Sequence, residues 1–187
     1  RERDARRPAS GRHQATRQRT VAAQAPMSRR TIERLYDAFA NLDGAGMQAC
    51  YAERARFEDP LYALAGRRQI GAMWCMLCAD ARRRGIDRWA LEVRDIRTSA
   101  AGGRAHWEAR YVFGRAARRV HNRVEARFDF DDAGLIVRHR DVFSFWRWAR
   151  QALGPSGWLL GWSPWLHKRV QHQAARQLRR YMDRNGR

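Results

Sequence analysis

An α+β fold is predicted, with helices laid against one side of a bent sheet. Three observations predict it. Three segments with helical apolar spacing come first, between Ser28 and about Leu77. Four runs then alternate apolar and polar residues, each with one apolar face. Turn sequences, "AAGG" at 100–103 and "DDAG" at 131–134, separate neighbouring runs closely enough for antiparallel pairing. Helices followed by one-faced strands fit a sheet that buries one side under helices and leaves the other to solvent.

Each element has its own pattern. In the first helix, Ile32, Leu35, Tyr36 and Phe39 fall at i, i+3, i+4 and i+7. "NLDGAG" stops it, and Met47 to Tyr51 is expected to form a second, short helix. In "RARFEDP", Ala55, Phe57 and Asp59 share one strand face and Pro60 ends the strand. Gly66 opens a third helix, in which Ile70, Met73, Trp74 and Leu77 repeat the spacing of the first. Among the four strands, one carries Trp89, Leu91 and Val93 inward, and the next Trp107, Ala109, Tyr111 and Phe113. The third carries Val120, Asn122, Val124, Ala126, Phe128 and Phe130, and the last Leu135, Val137, His139, Asp141 and Phe143.

Two segments flank this unit. Residues 1–26 are rich in Arg, Ala and Gln, lack large apolar residues and are expected to be disordered. Met27 begins the patterned sequence, so residues 1–26 are either a basic arm or an untranslated stretch ahead of the true start. The globular domain is expected over 27–145. Residues 146–187 form a helical extension that holds Trp146, Trp148, Trp158, Trp162 and Trp165, five of the eight tryptophans. It reads either as a lid or interface over the domain, or as an amphipathic element giving a weak membrane-surface contact.

Composition excludes several classes. No run approaches the ~18 apolar residues that span a bilayer, and the three cysteines, Cys50, Cys75 and Cys78, suggest no disulfide framework. A cytoplasmic location is the expectation. The net charge of +19 raises the question of nucleic acid, but every basic residue except Lys168 is Arg. That one-sidedness fits coding bias better than phosphate recognition, so no specific nucleic-acid binding is expected. "WCMLC" at 74–78 lies inside a helix rather than opening one after a strand, and no second cysteine pair supplies four zinc ligands. Neither a metal nor a cofactor is expected. His139-Arg140-Asp141 matches the protein-kinase catalytic loop only in three letters, because Trp146 stands where that loop needs Asn.

The chemistry lies in polar residues on apolar strand faces. A carboxylate aimed at a core is costly unless it is paired or lines a cavity, and desolvation brings its pKa toward the range of a general acid or base. Asp59, Asn122, His139 and Asp141 on inward faces suggest a polar-floored pocket in an apolar shell. The plainer alternative is a self-satisfied cluster of His139 with an acid, and for Asp59 a turn hydrogen bond ahead of Pro60.

The order helix, helix, "FEDP", helix, four strands, with "FDFDDAG" closing the third strand, resembles the nuclear transport factor 2-like superfamily. Within it, Ser28 to Phe145 is most similar to the SnoaL-like and ketosteroid-isomerase-like branch, and the "HRDVFSFWRW" tail to a bacterial subgroup. The resemblance implies a cone-shaped barrel of curved, mixed sheet wrapped by N-terminal helices. It also implies a homodimer and a small apolar ligand, with Trp74, Trp107, Asn122 and Phe143 around it. Asp59 matches the isomerase general base, which sits in a Glu-Asp-Pro context, and Tyr36 the first-helix oxyanion donor. Ala126 occupies the position of the second donor, an Asp, which puts steroid isomerisation in doubt. The cyclases carry an acid/base Asp on the last strand, where Asp141 stands with His139. The implied activity is cofactor-independent acid/base catalysis of the isomerase, cyclase, dehydratase or epoxide hydrolase type. The alternative is a non-catalytic ligand-binding or assembly domain.

Overall fold

The computed structural model describes residues 26–99 and 101–185, so the disorder expected of the N-terminal tail lies, but for Pro26, outside the described residues. Pro26 already belongs to the first helix, α1 (26–40), where a missing N–H costs nothing. Its predicted stripe of Ile32, Leu35, Tyr36 and Phe39 is buried throughout. The short second helix, α2 (Gly44–Ala49), starts three residues earlier than expected, because the Asp43 carboxylate caps it by accepting from the Gly46 N–H at 2.9 Å. Tyr51 is therefore not helical but begins strand β1 (Tyr51–Glu58). Gly44 lets α2 lie directly on α3 (Arg67–Arg84), since a Cβ there would fall 2.5 Å from Cys75 Cα.

A three-residue strand without a periodic signature, β2 (Ala63–Ala65), folds back on β1 after the Asp59-Pro60 turn. A short 3-10 turn, Ile86–Arg88, leads from α3 into β3 (Ala90–Ser99), β4 (Gly102–Phe113), β5 (Arg118–Phe130) and β6 (Ile136–Val142). The six strands form one mixed sheet in the order β2-β1-β6-β5-β4-β3, in which only the β1–β6 pair is parallel. The sheet is curved and stays open at β2 and β3, and helices cover its concave face. Asp95, at φ 55°, marks a bulge that interrupts the β3–β4 register between Arg94 and Arg97.

A second bulge corrects the parity expected of β6. Ala126 pairs with Asp141, Phe128 with His139 and Asp129 with Arg138, but Phe130 pairs with Ile136. Val137 is the extra residue, and the strand face switches across it. Ile136 is fully buried and Val137 only partly, the reverse of the simple alternation; His139 and Asp141 keep their inward direction.

The C-terminal extension is three helices, α4 (Phe145–Leu153), α5 (Pro155–Leu160) and α6 (Pro164–Asn185). Gln151 ties α4 to β5, accepting from the His121 N–H at 2.8 Å and donating to its carbonyl at 3.1 Å. Trp148, Ala149 and Ala152 pack against Val120. Helix α6 returns over the sheet's concave side, where Ala174 and Leu178 join the main core. His167 Nε2 and Gln171 Nε2 both donate to the Pro60 carbonyl, at 2.5 and 2.9 Å, fixing α6 beside the turn that follows β1.

Candidate functional site

Between the concave face, α3 and the C-terminal helices lies a cavity of about 220 Å³. Its wall is chiefly aromatic and aliphatic. Asp59 and Asp141 reach it from the ends of β1 and β6, Asn122 and Tyr111 from β5 and β4, and Tyr62 from the β1–β2 turn. Trp148, Val170 and Ala174 of the C-terminal helices close its rim. The volume falls below the ~300–1,000 Å³ of pockets that hold drug-sized ligands, so a small molecule fits it.

Asp141 is 4% exposed and backed by a continuous hydrogen-bonded series. Trp74 Nε1–H donates to the Tyr51 hydroxyl at 3.0 Å, and Tyr51 Oη lies 2.7 Å from His139 Nδ1. His139 Nε2 lies 2.9 Å from Asp141 Oδ1, which Trp107 Nε1 also approaches at 3.5 Å. Burial pushes the Tyr51 hydroxyl well above its usual pKa, so it keeps its proton. The Tyr51 oxygen accepts from Trp74 and gives its own hydrogen to Nδ1. That assignment leaves the imidazole proton on Nε2, where it is donated to Asp141. His139 is 1% exposed and wedged against Phe57 and Phe128, with ring centroids at 5.0 and 4.3 Å. It does not itself reach the cavity; it stands behind Asp141 and holds it.

Asp59 sits differently. Its Oδ1 accepts from the backbone N–H of Leu61 at 2.7 Å and of Tyr62 at 2.5 Å, the turn bond that the sequence suggested as its plainer role. Those two donors lower its pKa, but burial raises it more and the charge of Asp141 adds to the rise. The result is about 7, against an ordinary 3.8. At neutral pH Asp59 is thus divided between carboxylic acid and carboxylate. Among the described residues nothing hydrogen-bonds its Oδ2 or the Asn122 amide.

Of the residues singled out in the sequence, Asp59, Asp141, Asn122, Trp74, Trp107 and Phe143 share the cavity wall. Tyr36 does not. Its hydroxyl is buried without a partner, behind the wall, with its ring against Trp107 and Phe128. Ala126, across from Asp141, presents a methyl where a second oxyanion donor would stand. Three polar groups escape sequence reasoning. Tyr51 reads as helical. Tyr62 follows the Pro60 turn with no periodic pattern. Tyr111 lies on a recognisable inward face but counts there as apolar. The Tyr111 hydroxyl accepts from Trp148 Nε1 at 3.0 Å, and burial first of all raises its pKa to about 12, so its hydrogen remains to be donated. Cys78, buried in α3, has its thiol raised to about 12 and is inert as a nucleophile. Among the described residues no group of three His, Cys, Asp or Glu side chains is placed to hold a metal ion.

The SnoaL-like domain model matches residues 32–139, more than half of the chain. The chain belongs to the SnoaL-like domain family. Solved structures agree on the fold. An LEH-like epoxide hydrolase of M. tuberculosis superposes with a TM-score of 0.53 at 22% identity, covering 75% of this chain and 98% of that one. The epoxide hydrolase/cyclase-like enzyme SalBIII, from pyran ring formation in the polyether salinomycin, gives 0.54 at 15% identity over 64% and 93% of the two chains. A protein of unknown function with a cystatin-like fold from Methylobium petroleophilum PM1 gives 0.51 at 20% identity over 64% and 77%. No curated protein matches the sequence. The match ends at residue 139, inside β6, and the helices that close the cavity rim lie beyond it.

Proposed function

We propose that this SnoaL-like cavity opens a small apolar epoxide by paired acid/base chemistry, without a cofactor. The observation that carries the reading is the pair of unlike carboxyls on one apolar wall. Asp59 titrates near neutrality, and Asp141 is held by the Tyr51–His139 series. Asp141 takes the proton of a nucleophilic hydroxyl, either water or a hydroxyl of the substrate itself. The nucleophile's oxygen bonds to an epoxide carbon, that carbon's bond to the ring oxygen breaks, and the ring oxygen takes the proton of Asp59. Proton transfer from Asp141 back to Asp59 through solvent or product restores the start. Tyr111 donates to the ring oxygen and Asn122 orients the nucleophile.

Enolate chemistry of the isomerase kind fits less well, because Ala126 cannot donate and the Tyr36 hydroxyl lies behind the wall. Each carboxyl in the proposed reaction serves a proton transfer, which typically contributes ~10²–10⁴-fold. The epoxide hydrolase named among the similar folds is consistent with this reading at the level of fold alone.

The test is incubation with a panel of small apolar epoxides in oxygen-18 water. The expected product from a substrate without its own hydroxyl is a diol with one labelled oxygen. Asp141→Asn and Asp59→Asn should each lower turnover by about a hundredfold or more and leave the fold unchanged. A second reading, a carrier of an apolar ligand, is favoured by the use of Asp59 Oδ1 in a structural turn. Tight binding of the panel by the unsubstituted chain with no product would favour that reading instead.

A further inference from the structure

We infer that the turn joining α5 to α6 docks the chain on an anionic lipid bilayer. Short helices normally turn their large apolar residues inward; α5 does the opposite. It packs on α4 through glycine. A Cβ on Gly157 would fall 1.9 Å from the Ala149 carbonyl oxygen, and one on Gly161 would fall 3.1 Å from Trp146 Cδ1 and 3.2 Å from Ala149 Cβ. With both glycines buried, Trp158, Leu159, Trp162 and Trp165 point outward and are 60–73% exposed. Leu160 and Trp146 add to the same apolar surface. Isolated exposed apolar residues are ordinary, but six large ones within twenty residues form a patch that needs a partner.

Charge identifies the partner. From Phe143 to Met182 there is no Asp or Glu, and there are seven cationic residues. Two guanidinium groups lie against the exposed rings, Arg150 over Trp146 at 4.2 Å and Arg169 over Trp165 at 5.4 Å, with Lys168 adjacent. Tryptophan with cations at its rim is the composition that settles at a headgroup boundary. A second copy of the chain is a poor occupant, because a self-paired patch would set these cations against one another without a carboxylate between them. No helix among the described residues is long and apolar enough to cross a membrane, so the contact is peripheral. Helices α4 and α6, which hold the turn, also cover the cavity with Trp148, Val170 and Ala174. On the reaction proposed above, docking brings that cavity to the phase where apolar epoxides collect; the docking itself does not depend on that reaction.

The experiment is co-sedimentation of the full chain with vesicles of phosphatidylcholine alone and of phosphatidylcholine mixed with phosphatidylglycerol. The unsubstituted chain should bind the mixed vesicles more tightly and shift its tryptophan emission to the blue. A chain carrying Trp158→Ala, Trp162→Ala and Trp165→Ala keeps every charge and changes no buried residue, and should lose at least about tenfold in affinity. Lys168→Glu with Arg169→Glu should abolish the preference for phosphatidylglycerol. Equal binding by the triple variant would mean that the +19 chain merely adheres to anionic surfaces, and would overturn the proposal. So would failure of the unsubstituted chain to bind either vesicle. A triple variant that dissociates an oligomer, where the unsubstituted chain ignores vesicles, would assign the patch to contact between copies and likewise overturn it.

Discussion

Asp59 and Glu108 are carboxylic acids on opposite faces of one sheet, and their surroundings drive them in opposite directions. Glu108 is on the outer face of β4, yet nearly covered by its own partners. His106 and His121 lie at 3.2 and 2.6 Å, and Arg94 and Arg123 add ion pairs. The two histidines first, then the arginines, bring its pKa down to about 2. Asp59, on the concave side, has two backbone donors but, among the described residues, no cation, and burial carries it up to about 7. A charge in company contributes to folding; a charge left short of company is destabilising and is available for chemistry. On the proposed reaction, the two faces of the sheet divide stability from function.

Substitutions can break or sharpen that division. The largest effect is expected from Asp141→Asn. Turnover should fall about a thousandfold while the melting transition persists, because the amide keeps an oxygen for His139 Nε2–H to reach; undiminished turnover would remove Asp141 from the chemistry. Asp59→Asn should cost about a hundredfold and also erase the fall in kcat/KM above about pH 7 that loss of the Asp59 proton causes.

The same variant has a sign that can be checked in stability. The folded pKa of Asp59 lies above its unfolded value, so the folded chain binds more protons between about 3.8 and 7 and loses stability as pH rises through that window. The Asp59→Asn chain should therefore melt higher than the unsubstituted chain at pH 8 and equally at pH 3. Glu108→Gln should behave in reverse. The folded pKa of Glu108 is depressed, so its contribution is present above the usual 4.5 and disappears as pH falls toward 2. The variant should melt lower than the unsubstituted chain at pH 7, converge with it near pH 2, and leave turnover alone. A loss of turnover would show that the outer face is not separate from the site. Smallest is Tyr51→Phe. It removes two buried hydrogen bonds, the one accepted from Trp74 and the one given to His139, each worth about 1 kcal/mol of stability, and frees the imidazole to choose its tautomer. Turnover should drop about tenfold, with the substrate's KM unchanged.

Much of this is legible in the sequence wherever period 2 or 3.6 runs undisturbed. The buried stripe of α1 and the inward faces of β4 and β5 follow directly from spacing, and they place Asn122 and Trp107 on the cavity. Errors come where local geometry breaks the period. The Val137 bulge reverses parity inside β6, and no residue type announces it, since both register partners, Phe130 and Ile136, are ordinary strand residues. The Asp43 cap moves α2 forward and releases Tyr51 into β1. Tyr51 reaches His139 from 88 positions away, so that contact depends on the parallel β1–β6 pairing, which periodicity along the chain does not encode. Alternation alone places His139 on an inward face; only packing shows it behind Asp141 rather than beside it.

The protonation of Asp59 is the point on which the acid/base account turns. Carbon-13 NMR of the aspartate carboxyls, assigned by comparison with Asp59→Asn, follows it directly through a pH titration of the full chain. The account predicts a midpoint near 7 for that one resonance. A midpoint near the ordinary 3.8 would mean that Asp59 carries no proton to give at neutral pH, and the proposed ring opening would lose its acid.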